Sequence, residues 1–150
     1  IMRARVAVVT GANKGIGLHI ASQLVSSGMF GTVILGCRDA GRGQQAAFET
    51  GGTFLVPLEV GDAVSMRSFV EAVQQRFGRL DCLVNNAAIA FKAADPTPFH
   101  AQTRPTLDVN VRGTLDLTEA LLPLLRKGDD PRIVNVASMA GRLGQVSEPL

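Results

Sequence analysis

The sequence predicts an α/β fold, an open doubly wound parallel sheet with helices on both faces. Three observations lead there: short apolar runs recur along the chain, helical stripes separate them, and the connections between the two are brief. Alternation of this kind makes βαβ crossovers, which are right-handed and build parallel sheets. Five strands and four crossovers fit the 150 residues, with no internal repeat and no shift in composition to mark a second domain. The expectation is one domain over 1–150 whose pattern stops after the fifth strand.

Each element has its own signal. Residues 5–10 (RVAVVT) are an apolar run ending at Gly11, suited to a strand buried on both faces. From Gly15 the period changes, and Ile16, Ile20, Ala21, Leu24 and Val25 make one helical stripe that Gly28 and Gly31 close. Residues 32–37 form a second strand. Asp39 caps a weaker helix that Gly51 and Gly52 end. Residues 53–58 form a third strand, in which Pro57 marks an edge or a strand end.

Asp62 caps the next helix, whose apolar residues are Met66, Phe69, Val70, Val73 and Phe77, with Gly78 closing it. Residues 80–84 are a fourth strand, and an Ala- and Pro-rich loop runs from there to Phe99. A long helix is expected to begin near Thr103 to Pro105, because proline suits a first turn. Its stripe is Leu107, Val111, Leu115, Leu122 and Leu125, with Pro123 as a kink near its end. Residues 132–136 are a fifth strand, and the remainder is a loop.

Composition narrows the class. The formal charge of +2 and the absence of a Lys/Arg block argue against a nucleic-acid face. No apolar run is long enough to span a bilayer, and no secretory signal opens the chain. Cys37 and Cys82 sit in apolar strand-like runs and read as buried thiols, which suits a reducing compartment and a cytoplasmic location. No metal site is expected. His19 and His100 read as ordinary surface histidines.

The sharpest local signal is residues 10–17, TGANKGIG, between the first strand and the first helix. Its spacing is G-x-x-x-G-x-G, yet the logic is that of Rossmann-type phosphate loops. Gly11 permits the tight turn off the strand, Gly15 lets backbone N–H groups approach a phosphate, and Gly17 lets helix and sheet pack closely. The helix N-terminus offers unpaired N–H donors and partial positive charge to a pyrophosphate. Lys14 adds a cation at the mouth.

Together with later motifs, this loop resembles the short-chain dehydrogenases/reductases. Residues 85–88 (NNAA) resemble the family's N-N-A-G, Asn110 within DVNVRGT matches its helix asparagine, and residues 135–138 (NVAS) match the segment carrying its serine. These motifs stand in the family's order over essentially the whole chain. The stretch from Asn85 to His100 is similar to the NADPH-dependent carbonyl reductases within that family. The resemblance implies a dinucleotide held by Gly11, Asn13, Lys14, Gly15, Ile16, Gly17, Arg38, Glu59, Val60, Asn86 and Ala87.

Two positions decide which dinucleotide. NAD-preferring relatives place an acid where this chain has Cys37, whereas Arg38 offers a planar fork to a 2′-phosphate and Lys14 lies within reach of the same group. Asp39 is the rival ribose ligand, although it also suits the helix cap. The balance favours NADP(H). Glu59 stands where the family has aspartate, and Ala88 where it has glycine.

The implied reaction is reduction of a ketone, aldehyde or quinone to an alcohol. Ser138 would hydrogen-bond the substrate carbonyl, and Asn110 would hold a relay water and shape the long helix. Phe91, Lys92, Ala93 and Gln102 match substrate-side positions. The family's acid is a tyrosine in a Y-x-x-x-K pattern beyond the serine, and these 150 residues contain no Tyr. The expectation is therefore a partial domain lacking the C-terminal Tyr and Lys, inactive by itself, from a monomer or a family-type homo-oligomer. The alternatives are a catalytically inactive NADP(H)-binding module and a non-functional fragment. Within the enzyme class, a reductase of steroid, retinoid or terpenoid ketones is a further option.

Overall fold

A computed structural model describes residues 4–141 and 144. Four parallel strands, β1 (Val6–Thr10), β2 (Thr32–Gly36), β3 (Cys82–Asn85) and β4 (Arg132–Asn135), lie in the order β2-β1-β3-β4. Register pairs Val8 with Ile34 and with Leu83, and Leu83 in turn with Ile133. The helices are α1 (Gly15–Ser26), α2 (Ala40–Thr50), α3 (Ala63–Phe77), α4 (Phe99–Leu107) and α5 (Thr114–Leu125).

Side-chain alternation divides β1 between two cores. Val6 and Val8 join Phe69, Val73, Leu117 and Leu121 on the α3–α5 face. Ala7 and Val9 join Ala21, Ala46, Leu35 and Cys82 on the α1–α2 face. Both cysteines are buried free thiols, and burial first, then the charge of Asp39, pushes the Cys37 thiol up to about 11.

The predicted caps are in place. Asp39 accepts from the Arg42 N–H (2.8 Å) and Asp62 from the Ser65 N–H (2.7 Å), while Gly51 and Gly78 end α2 and α3 at positive φ. The aspartate and glycine chemistry of these turns is local, so sequence exposes it.

Three expectations need correction. Residues 53–58 do not form the expected third strand: they meet β2 through one parallel bridge, Thr53 to Ile34, and a later bond from the Leu58 N–H to the Cys37 carbonyl. Pro57 has no N–H to give a ladder, and the segment lies outside β2, where no further strand holds it straight. The long helix begins at Phe99, with Pro98 preceding it, so Pro105 stands inside α4 rather than at its start. A π-helical segment, Asp108–Gly113, then joins α4 to α5. Because of it, Leu107, Val111 and Leu115 face outward, and Leu117, Leu121, Leu124 and Leu125 supply the buried face.

β4 is the outer strand on the side away from β2; Ile133 and Val134 on it, and Val136 just after it, are exposed. Among the described residues, no helix is long and apolar enough to cross a membrane.

Candidate dinucleotide cleft

β1 has β2 on one side and β3 on the other, so the crossovers leave it in opposite directions. The crevice at such a switch point lies beyond the C-terminal ends of the strands. Here a cleft of about 450 Å³ opens at that place. Its walls come from the loop after β1 (Gly11, Asn13, Lys14, Gly15, Ile16), the end of β2 (Cys37, Arg38), residues 58–60, and the loop after β3 (Asn86, Ala87, Ala88, Ile89), with Val109 closing one side.

Ten of the eleven predicted cofactor residues line this cleft. The eleventh, Gly17, lies buried behind it: a Cβ there would overlap the Asn86 amide nitrogen and stand 2.5 Å from the Gly11 carbonyl oxygen. Close packing is thus its role. Ile16, read as part of the α1 core stripe, is instead 65 % exposed at the cleft mouth. Asp39 is committed to the α2 N-terminus and does not line the cleft, whereas the exposed Arg38 does.

The loop after β1 is held open by bonds to the loop after β3. Thr10 Oγ1 accepts from the N–H groups of Asn86 (3.0 Å) and Ala87 (2.9 Å), and the Asn86 side-chain amide donates to the Thr10 carbonyl (2.9 Å). Gly11 and Gly15 have φ of +66° and +56°. A Cβ on Gly11 would press on Ala87 and Asn86 at 3.0 Å, whereas one on Gly15 would meet nothing within 4 Å. Gly15 therefore borders open space at the start of α1. Lys14, the residue before α1, provides no side-chain cap, in contrast to Asp39 and Asp62. The first N–H groups of α1 thus face an uncapped mouth flanked by Lys14 and Arg38, an arrangement that fits a pyrophosphate with a further phosphate nearby.

Asn110 lies in the π segment. Its side-chain amide accepts from the Ile89 N–H (2.8 Å) and donates to the Ile89 carbonyl (2.9 Å), copying a strand partner. Both polar ends of that side chain are thereby committed to the cleft wall. Deeper in, the Asn85 amide donates to Thr118 Oγ1 (3.0 Å) and Asn135 Oδ1 (2.9 Å), tying β3 to α5 and β4.

Ser138 follows β4 at the same C-terminal edge of the sheet, exposed and outside the cleft lining, and its carbonyl accepts from Gly141 in a short 3-10 turn. The substrate-side residues are not drawn into the cleft. Phe91 and Gln102 are half-buried, Lys92 and Ala93 exposed, and the Gln102 amide is spent on the Thr97 carbonyl at 2.7 Å. The Asp95 carboxylate accepts from the Thr97 N–H at 2.9 Å and holds the 95–97 turn just ahead of α4.

The predicted cofactor residues did not include Cys37, Leu58, Ala88, Ile89 or Val109, which also line the cleft. Each stands within two positions of a predicted site residue, and apolar side chains at such positions look like core until the walls are assembled.

The comparisons agree with this geometry. Carbonyl reductase (NADPH) 1 of Macaca fascicularis is 45% identical over 139 residues, covering 90% of this chain and 49% of that protein. The Homo sapiens protein of the same name is 45% identical over 138 residues, covering 89% and 49%. The chain thus spans about half the length of these curated relatives. Among solved structures, a menthone neomenthol reductase from Mentha piperita superposes with a TM-score of 0.79 at 34% identity, over 95% of this chain and 63% of that one. An RhlG/NADP active-site complex from Pseudomonas aeruginosa gives 0.79 at 30% identity, over 91% and 56%. The family model described as short chain dehydrogenase matches residues 5–149. With a parallel sheet, a glycine loop at its switch point and a match over nearly every residue, the chain belongs to the short-chain dehydrogenase family.

Proposed function

We propose that this chain forms the NADP(H)-binding part of a reductase that converts ketones, aldehydes or quinones to alcohols. The observation that carries the reading is the cleft itself, in which Lys14 and Arg38 flank an uncapped helix start while Cys37 stays a neutral thiol. Names of the relatives point the same way, since those at about 45% identity are NADPH carbonyl reductases.

Bound there, NADPH would supply the hydride that reduces a carbonyl carbon, with the oxygen taking its proton from an acid or from solvent, to give NADP⁺ and the alcohol. Gly11, Gly15 and the α1 N-terminus receive the pyrophosphate, and Arg38 pairs with the 2′-phosphate. Glu59 and Val60 line the adenosine end. Asn13, Ile16, Asn86 and Ala87 complete the walls. Ser138 donates to the substrate's carbonyl oxygen and orients it. Asn110 acts through Ile89, holding the wall, rather than through a water on its side-chain amide. Phe91, Lys92 and Ala93, next along the chain from Ile89, border the substrate; Gln102 is assigned no contact because Thr97 already holds its amide.

NADPH-dependent reduction of a quinone and a ketone by the complete protein, followed by the loss of NADPH absorbance, tests the reading. Consumption with both substrates supports it, and no consumption by a folded protein rejects it. Ser138→Ala should lower kcat by about a hundredfold, the typical loss of one donor to a developing oxyanion. Unchanged kcat removes Ser138 from its role. Arg38→Ala should weaken NADPH binding by about 10- to 100-fold, the worth of a charge-assisted hydrogen bond, and leave NADH binding nearly unchanged. Equal losses for both cofactors would assign the 2′-phosphate contact elsewhere.

A further inference from the structure

The π segment between α4 and α5 is out of keeping with the regularity around it. Gln102, Thr106, Asn110, Gly113, Leu117 and Leu121 form one series of buried and half-buried positions along this segment, with Val109 packed beside it. Five α-helical turns take about 18 residues, and this series takes one more. A π turn absorbs that extra residue. Without it, α4 and α5 would present inward faces roughly 100° out of phase.

What the extra residue achieves is visible in contacts with two separate segments of the cleft lining, the loop after β3 and residues 60–61. Asn110 reaches the loop after β3 and bonds both backbone groups of Ile89. Gly113, three residues on, lies against the 60–61 backbone: a Cβ added to it would stand 2.6 Å from the Gly61 nitrogen and 2.9 Å from Val60 Cγ1. Gly61 has φ of +99°, and a Cβ on it would stand 3.4 Å from the Asp108 carbonyl and 3.5 Å from Val109. Both Ile89 and Val60 line the cleft, while Gly113 does not. Two glycines therefore let one helix segment touch the two walls at once.

We propose that the π segment Asp108–Gly113 is the common pin of the two cleft walls, and that Gly113 is a positioning residue for the adenosine end of the dinucleotide. This rests on the assignment of the cleft to NADP(H). Gly113 sets the distance between the helix and residues 59–61, and Asn110 carries that distance to Ile89. The width of the slot between Val60 and Ile89 is then fixed by backbone packing rather than by flexible side chains. Arg38 lies at the end of β2, outside this linkage, so recognition of the 2′-phosphate is independent of it.

The test compares the complete protein with Gly113→Ala. The variant should weaken NADPH, NADH and 2′,5′-ADP in parallel, each by about tenfold, because a forced shift of backbone alters all three alike. The ratio of NADPH to NADH affinity should stay at its starting value, in contrast to Arg38→Ala. In the unliganded variant, the Ile89 amide should exchange hydrogen faster while the Leu83 amide in β3 keeps its rate. A folded variant with unchanged affinities, or with faster exchange at Leu83 and Ile89 alike, overturns the proposal. If Gly113→Ala does not fold, the unsubstituted protein decides. Saturating 2′,5′-ADP should slow exchange across residues 111–113, none of which lines the cleft, and unchanged exchange there overturns the proposal. Failure of the unsubstituted protein to bind NADPH rejects the cleft assignment as well, whereas normal binding with unaffected variants rejects the pin alone.

Discussion

Asp81→Ala should lower the unfolding free energy by about 3–5 kcal/mol, the usual result of removing one partner of a buried charge pair. Asp81 is fully buried at the start of β3. Its carboxylate accepts from the Val6 N–H (2.7 Å), the Asp129 N–H (2.6 Å) and Arg79 Nε (3.2 Å), with a second contact from the Arg79 guanidinium to its other oxygen. It therefore joins the beginnings of β1 and β3 to the turn ahead of β4. Alanine leaves two backbone donors and a guanidinium without their acceptor.

Burial by itself pushes this carboxyl upward, but the hydrogen bonds from Arg79, Asp129 and Val6 outweigh it and hold the group below its ordinary value. Its folded pKa is thus lower than its unfolded one, near 3.9 for a model aspartate. The stabilisation is fully present above about pH 4, and it is lost as the pH falls through the folded value. Chemical denaturation at a series of pH values checks this. Stability of the unsubstituted protein should decline below about pH 4 more steeply than that of Asp81→Asn. Parallel declines would remove Asp81 as a source of the acid sensitivity.

Gly17→Ala should cut NADPH affinity by about a hundredfold, because overpacking of up to about 3 kcal/mol falls directly on the cleft. The added methyl overlaps the Asn86 amide and the Gly11 carbonyl, so relief requires α1 to move away from both loops that form the site. Gly15→Ala is the informative control. Its Cβ would meet nothing, and the strain is confined to the +56° φ, about 1–2 kcal/mol for a non-glycine residue. Fluorescence titration with NADPH should therefore rank Gly17→Ala well below Gly15→Ala. The reverse order would show that backbone conformation, not helix–loop packing, governs the site.

Particular residues show why some of this was legible in sequence. Asp39 and Asp62 cap the helices they precede because capping is a bond over three residues. The glycine loop was equally plain, since a strand, a tight turn and a helix start follow one another within eight positions. Arg38 and Asp39 were separable only in part. Adjacent residues with plausible competing roles needed the structure, in which one lines the cleft and the other closes a helix.

The errors share a cause. Residues 53–58 have strand composition, but pairing depends on a neighbour, and their neighbour meets them at one bridge. The stripe of Leu107, Val111 and Leu115 has sound helical spacing, yet a π turn shifts the phase, and nothing local in DVNVRG announces it.

By itself, then, the sequence determined the alternation of strands and helices, the parallel sheet, the caps and the phosphate loop. All of these depend on periodicity or on bonds across a few residues, and such information is written consecutively along the chain. Only the tertiary structure decided that residues 53–58 lie at a nearly unpaired edge, that Asp81 draws three segments together, and that Gly113 packs directly on Gly61 beside the cleft. These are contacts between residues tens of positions apart, made where independent elements reach the same point, and their geometry exists only after the elements have packed.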